Sequence, residues 1–228
     1  MAVTFDAGTG GSQANSATLT IAHTVTAGGS DRIIYFIFGG WDGNLRTATA
    51  TYAGAPMTQE AISALSNGND RVWVFRLENP TTGTNNAVAT ITGGNMHLIG
   101  GCLSWTNAHQ TVFGTAFTAV SSVGGTAASV DVTDGASGDG IADGVITGND
   151  NTHLVNGPAS HTERWDQTLG ASGEAGAGGN SDGAAGTVTV GWTISQSASW
   201  AHGAVTVKQV AGAVASQATW NMGLLGVN

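Results

Sequence analysis

Residues 32–38 read RIIYFIF, an almost unbroken apolar run entered through a GGSD turn and left through GGWDGN. The run is too short for a typical globular helix, and its β-branched and aromatic content suits a strand covered on both faces. Such a strand needs an apolar layer on each side of it, which restricts the chain to layered β architectures.

The neighbouring segments carry the strand period. In residues 15–26 (NSATLTIAHTVT), Leu19, Ile21, His23 and Val25 alternate with Thr18, Thr20, Ala22 and Thr24. Alternation or short apolar runs recur in 47–52, 71–77, 87–92, 97–105, 129–132, 140–147, 161–165, 187–194 and 199–208, separated by Gly, Asn and Pro turns. No useful helical period appears; residues 59–65 read as a turn or short helix. The low-complexity stretch 170–186 (GASGEAGAGGNSDGAAG) reads as a long loop. These segments predict an all-β fold: a two-sheet antiparallel β-sandwich of about ten strands, with a jelly roll as the specific topology. Residues 1–15 form an N-terminal segment, 16–210 the sandwich and 211–228 an extended C-terminal tail. Trp73, Trp105, Trp192 and Trp200 fall within strands of both halves and are expected to meet between the sheets.

Composition limits the function. Of 228 residues only 9% are charged, while Gly fills 36 positions, against about 25% charged residues in an ordinary domain. Six basic and fifteen acidic residues give a net charge of −9, so nucleic acid is not an expected partner. The single cysteine, Cys102, sits in an apolar setting (HLIGGCLSW) and reads as a buried thiol. The opening stretch lacks a basic region followed by an apolar one, and no run reaches about 18 apolar residues, so neither a cleaved leader nor a membrane partner is expected.

Catalytic signatures are sparse. The six histidines show no HxH, HExxH or HxxxH spacing, and Glu60, Glu78, Glu163 and Glu174 are not paired by the sequence. The chain therefore reads as a non-enzyme without an obligatory cofactor. Within VDVTDGASGDGIADGV, Asp134, Asp139 and Asp143 are spaced by Gly-rich steps that could offer oxygen ligands to calcium, solvated turn carboxylates being the preferred reading. Trp41 in GGWDGN and Trp165 in TERWDQ are candidate glycan-binding platforms. In the tail, Trp220, Met222, Leu224, Leu225 and Val227 follow the last patterned strand. Burying them would contribute on the order of 8–15 kcal/mol before ordering costs. They read either as an arm docking on a neighbour or as an edge strand folded back on its own sandwich.

The order GGSDRIIYFIF, YAGAPMT, LENPTTGTN and LSW, closing with WTISQSASWAHGAVTVK, resembles a family of phage-associated jelly-roll domains of the virion decoration, cement and fibre type. The resemblance spans about residues 16–210 and rests on turns and strands. It implies a virion or extracellular particle surface as the location, and a capsid decoration role that stabilises a shell by packing. The implied partners are a major capsid or other virion protein and further copies of the chain, a trimer being favoured. A carbohydrate-binding module or adhesin is the alternative.

Overall fold

The computed structural model describes residues 1–41, 44–66, 70–149, 151–170 and 173–210. Trp220, Met222, Leu224, Leu225 and Val227 lie outside the described residues.

The described chain is all-β, with fifteen strands in three antiparallel sheets, more than the ten strands and two sheets expected. The middle sheet has the order β1-β9-β3-β7-β6, formed by β1 (Thr4–Ser16), β9 (Met96–Thr106), β3 (Ile33–Trp41), β7 (Asp70–Glu78) and β6 (Thr58–Ile62). The first sheet, on one side of it, has the order β2-β8-β4-β5: β2 (Thr18–Val25), β8 (Gly83–Thr92), β4 (Thr47–Tyr52) and β5 (Ala55–Pro56). The third sheet runs β10-β15-β11-β14-β13, with β12 (His153–Val155) paired to β15 (Val188–Val207). Its other strands are β10 (Ala116–Val132), β11 (Gly140–Gly148), β13 (Thr162–Thr168) and β14 (Glu174–Asp182).

The RIIYFIF strand is central, as its sequence requires. Ile34, Phe36 and Phe38 pack towards the first sheet among Leu19, Tyr52 and Trp73. Ile33, Tyr35 and Ile37 join Ile146, Trp165 and Val205 of the third sheet in a second core. One strand thus feeds two cores because successive side chains leave a sheet on opposite faces. The tryptophans consequently separate: Trp73 lies in the first core, Trp105 in the second, and Trp192 and Trp200 in a third cluster.

The resemblance motifs are turns with defined backbone needs. Ala53 and Gly54 both have positive φ, 50° and 81°, and close the hairpin in which Tyr52 pairs with Ala55, as a two-residue primed turn demands. Asp31 in GGSDR and Asn79 in LENP are likewise left-handed, at 51° and 45°.

Two Gly-rich segments are strands. The predicted loop 170–186 contains β14, paired with β11 and β13 and buried over most of its length. Residues 4–16 form β1, paired with β9, and residues 58–62, read as a turn or helix, form β6 on the edge of the middle sheet. Small residues are needed here because bulky groups from other strands fill the adjacent space. A Cβ on Gly178 would stand 2.3 Å from the Trp165 indole nitrogen, and one on Gly101 2.2 Å from the same atom. Gly178→Ala is therefore expected to lower stability by about 1–3 kcal/mol through overpacking. Gly28→Ala, where a Cβ meets nothing within 4 Å, should leave the urea midpoint nearly unchanged; equal midpoints for the two variants would contradict the packing argument.

Candidate functional site

One buried polar network sits on the far face of the third sheet. β10 and β15 form a long ribbon that bends at the irregular register between Ser121 and Ala127. Its distal part, with Trp192 and Ile194, pairs with β12 and folds back over β11. Residues 195–198, which separate the predicted segments 187–194 and 199–208, are part of continuous β15.

Under this cover Asp143 is fully buried. Its Oδ1 accepts from His161 Nε2 at 2.9 Å; its Oδ2 accepts from His202 Nε2 at 2.9 Å and Trp192 Nε1 at 2.7 Å. Burial alone would raise this carboxyl, but the bonds from His161 and His202 outweigh it and hold Asp143 well below the ordinary range. Beside it, His153 Nδ1 stands 3.0 Å from Asp166 Oδ1, and its Nε2 3.2 Å from Thr147 Oγ1. Hydroxyl, imidazole and carboxylate follow in the order of a nucleophilic triad. Thr147 is fully buried, however, and also bonds the Ala175 carbonyl at 3.3 Å. In this conformation the arrangement fastens β12 to the sheet and presents no reachable nucleophile.

A second set of Ser, His and Asp side chains joins β1, β2 and β9. Ser104 Oγ donates to Asp6 Oδ2 at 2.9 Å and contacts His23 Nε2 at 3.0 Å, while His23 Nδ1 contacts Thr9 Oγ1 at 3.1 Å. The serine stands between acid and imidazole, the wrong order for histidine to take its proton and be supported by the carboxylate. Burial lowers the His23 pKa to about 4 against the pull of Asp6, so the ring is neutral at pH 7.

The third constellation is a polar row where the middle and third sheets end together. Trp41 closes β3 between Asp70 of β7 and His97 of β9, its partners in register. Across the sheet interface, Ser199 donates to Asp70 Oδ2 at 2.5 Å, and Glu174 Oε2 lies 3.3 Å from His97 Nδ1. Burial raises the Asp70 carboxyl, partly offset by its bonds from Ser199 and Ser66. This row was not legible in the sequence; its signal is that Trp41, Asp70 and His97 each stand just beyond an apolar run on strands that become antiparallel neighbours.

The expected site residues are dispersed. Trp41 is 43% exposed, but Trp165 is only 4% exposed and packs among Gly101, Gly144 and Gly178, which corrects its reading as a surface platform. Asp134 and Asp139 flank Lys208, whose ammonium lies 3.7 and 3.2 Å from their carboxylates, whereas Asp143 belongs to the histidine network. The calcium reading required the three to converge, and they do not. Among the described residues no three His, Cys, Asp or Glu side chains gather to hold a metal ion.

No family of known proteins, no curated protein and no solved structure matches the chain.

Proposed function

We propose that the chain is a structural binding module on the surface of an assembled particle, most simply a virion decoration protein of jelly-roll type that stabilises a shell by packing, arranged with three-fold symmetry. The observation that carries this reading is the outward face of the first sheet. Thr18, Thr90 and Thr49 stand in one row across β2, β8 and β4, and Thr24 and Thr84 share a 2.7 Å hydrogen bond across β2 and β8. These threonines are exposed, and no ionisable side chain interrupts the face. Methyl and hydroxyl groups on an uncharged sheet can pack against a neighbouring protein without the cost of desolvating ions. The acidic residues that give the net charge lie elsewhere, which favours docking through this face. The resemblance of the turn motifs to phage jelly-roll domains supports the same reading.

Density-gradient sedimentation of native material tests it. The chain is expected in a particle band at fixed stoichiometry, and a Thr49→Lys/Thr90→Lys double variant should rebind stripped particles about tenfold more weakly or worse, as burial of two unpaired ammonium groups requires. Recovery only in the unassembled fraction overturns the proposal.

A further inference from the structure

Of the six basic side chains, only Lys208 is a lysine; the others are arginines. Arginine stays protonated, whereas a lysine amine can lose its proton and become a nucleophile. Lys208 follows the end of β15, and its ammonium is held by the turn that joins β10 to β11. Nζ donates to Asp139 Oδ2 at 3.2 Å and to the Asp134 backbone oxygen, and lies 3.7 Å from Asp134 Oδ2. The side chain of Asp139 is 3% exposed and that of Lys208 18%, so little water separates amine from carboxyl. The turn is fixed: Asp139 Oδ1 accepts from the Gln209 amide at 2.9 Å, Oδ2 from the Ala136 amide at 3.0 Å, and Gln209 Nε2 donates to the Ser137 carbonyl at 2.6 Å. Asp134 is fixed as well, by the Thr115 amide at 2.6 Å and by the Thr206 hydroxyl. An amine, a carboxyl whose oxygens face backbone N–H donors, and a second carboxylate beside the amine are the parts that amide condensation needs.

We propose that Lys208 and Asp139 form an intramolecular isopeptide bond, with Asp134 as the proton carrier. Asp134 takes a proton from the Lys208 ammonium and passes it to Asp139 Oδ2, leaving a neutral amine and a neutral carboxyl. Nζ attacks Cγ of Asp139, the C–N bond forms, and the Gln209 amide holds the negative charge that develops on Oδ1. Asp134 then takes a second proton from the nitrogen and delivers it to Oδ2, the Cγ–Oδ2 bond breaks, and one water leaves. Both protons in that water come from the ammonium, so no other reactant is needed. The bond ties positions 69 apart in the chain, in a protein whose single cysteine, Cys102, cannot form an internal disulfide.

Intact-mass measurement of the full chain, held folded at neutral pH, is expected to give the sequence mass less one water. Trypsin should then skip Lys208 and release residues 77–164 joined to 165–228. Lys208→Arg and Asp134→Ala, each checked for the parent's dispersed amide NMR spectrum, should keep the full mass. The thermal midpoint of Lys208→Arg should fall by about 10 °C, the order expected when a cross-link over a long loop is lost. A parent of full sequence mass overturns the proposal. So does a missing water that persists in Lys208→Arg or leaves Lys208 open to trypsin, which marks a cyclic imide at Asp134-Gly135 or Asp139-Gly140 instead. Undiminished cross-linking in Asp134→Ala overturns the role of Asp134 as proton carrier.

Discussion

Replacing Asp143 with alanine is expected to cost about 3–5 kcal/mol of folding stability, the range for breaking a buried charged network by removing one member. The substitution leaves Trp192 Nε1, His161 Nε2 and His202 Nε2 without their acceptor. The Nδ1 atoms of both imidazoles are already buried without partners among the described residues, so neither ring can turn over to compensate. Asp143→Asn keeps one carbonyl oxygen for Trp192 and His202 and confronts only His161 with an amide, so a smaller loss, about 1–2 kcal/mol, is expected. The damage should be local first. His161 precedes β13 and Trp192 belongs to the folded-back part of β15, so hydrogen exchange should accelerate in 153–161 and 188–194 before the middle sheet is affected. Urea titrations of the three proteins check the ranking; an alanine variant within about 1 kcal/mol of the parent would show that the network is not holding the cover.

Legibility in the sequence followed the range of the interactions. The IIYFIF run declared its own burial because each of its large apolar and aromatic side chains needs a covered face, and the TLTIAHTV alternation declared both its faces, with His23 on the buried one. Hairpin turns such as Ala53-Gly54 were readable because their backbone demands are local. Glycine-rich β1 and β14 were not, since a glycine that answers a distant side chain looks like a glycine in a loop. Gly8 and Gly10 lie under Arg164 and Trp165, and Gly179 lies under the His161 ring. Trp165 was misjudged for the same reason: its polar neighbours in TERWDQ suggested a surface, while the glycines that enclose it come from β1, β9, β11 and β14. His97, His161 and His202, scattered in sequence, meet Glu174 and Asp143 only once the strands have assembled.

Lowering the pH from 7 to 4 is expected to remove about 3 kcal/mol of stability through His23 alone. The ring is buried between Thr9 and Ser104, and burial brings its pKa down to about 4, with Asp6 opposing the shift. In the unfolded chain the same imidazole titrates near 6.5. Between these values the unfolded state binds a proton that the folded state refuses, so stability falls as the pH falls, and the loss levels off below about 4 where the folded ring also protonates. The separation of about 2.5 pH units, at about 1.4 kcal/mol each, gives the stated size. Asp6, partly buried, is held below the ordinary carboxyl range by its bonds from Thr26 and Ser104, so its own loss of stability begins only at the acid end of this window, where the unfolded carboxyl protonates. His23→Gln should be less stable than the parent at pH 7, because the amide cannot reproduce both ring contacts, but it should lose about 3 kcal/mol less on acidification. Urea midpoints at pH 7, 5.5 and 4 provide the comparison. Parallel pH profiles for the two proteins would mean that the acid sensitivity resides in other groups and that His23 is protonated at little cost.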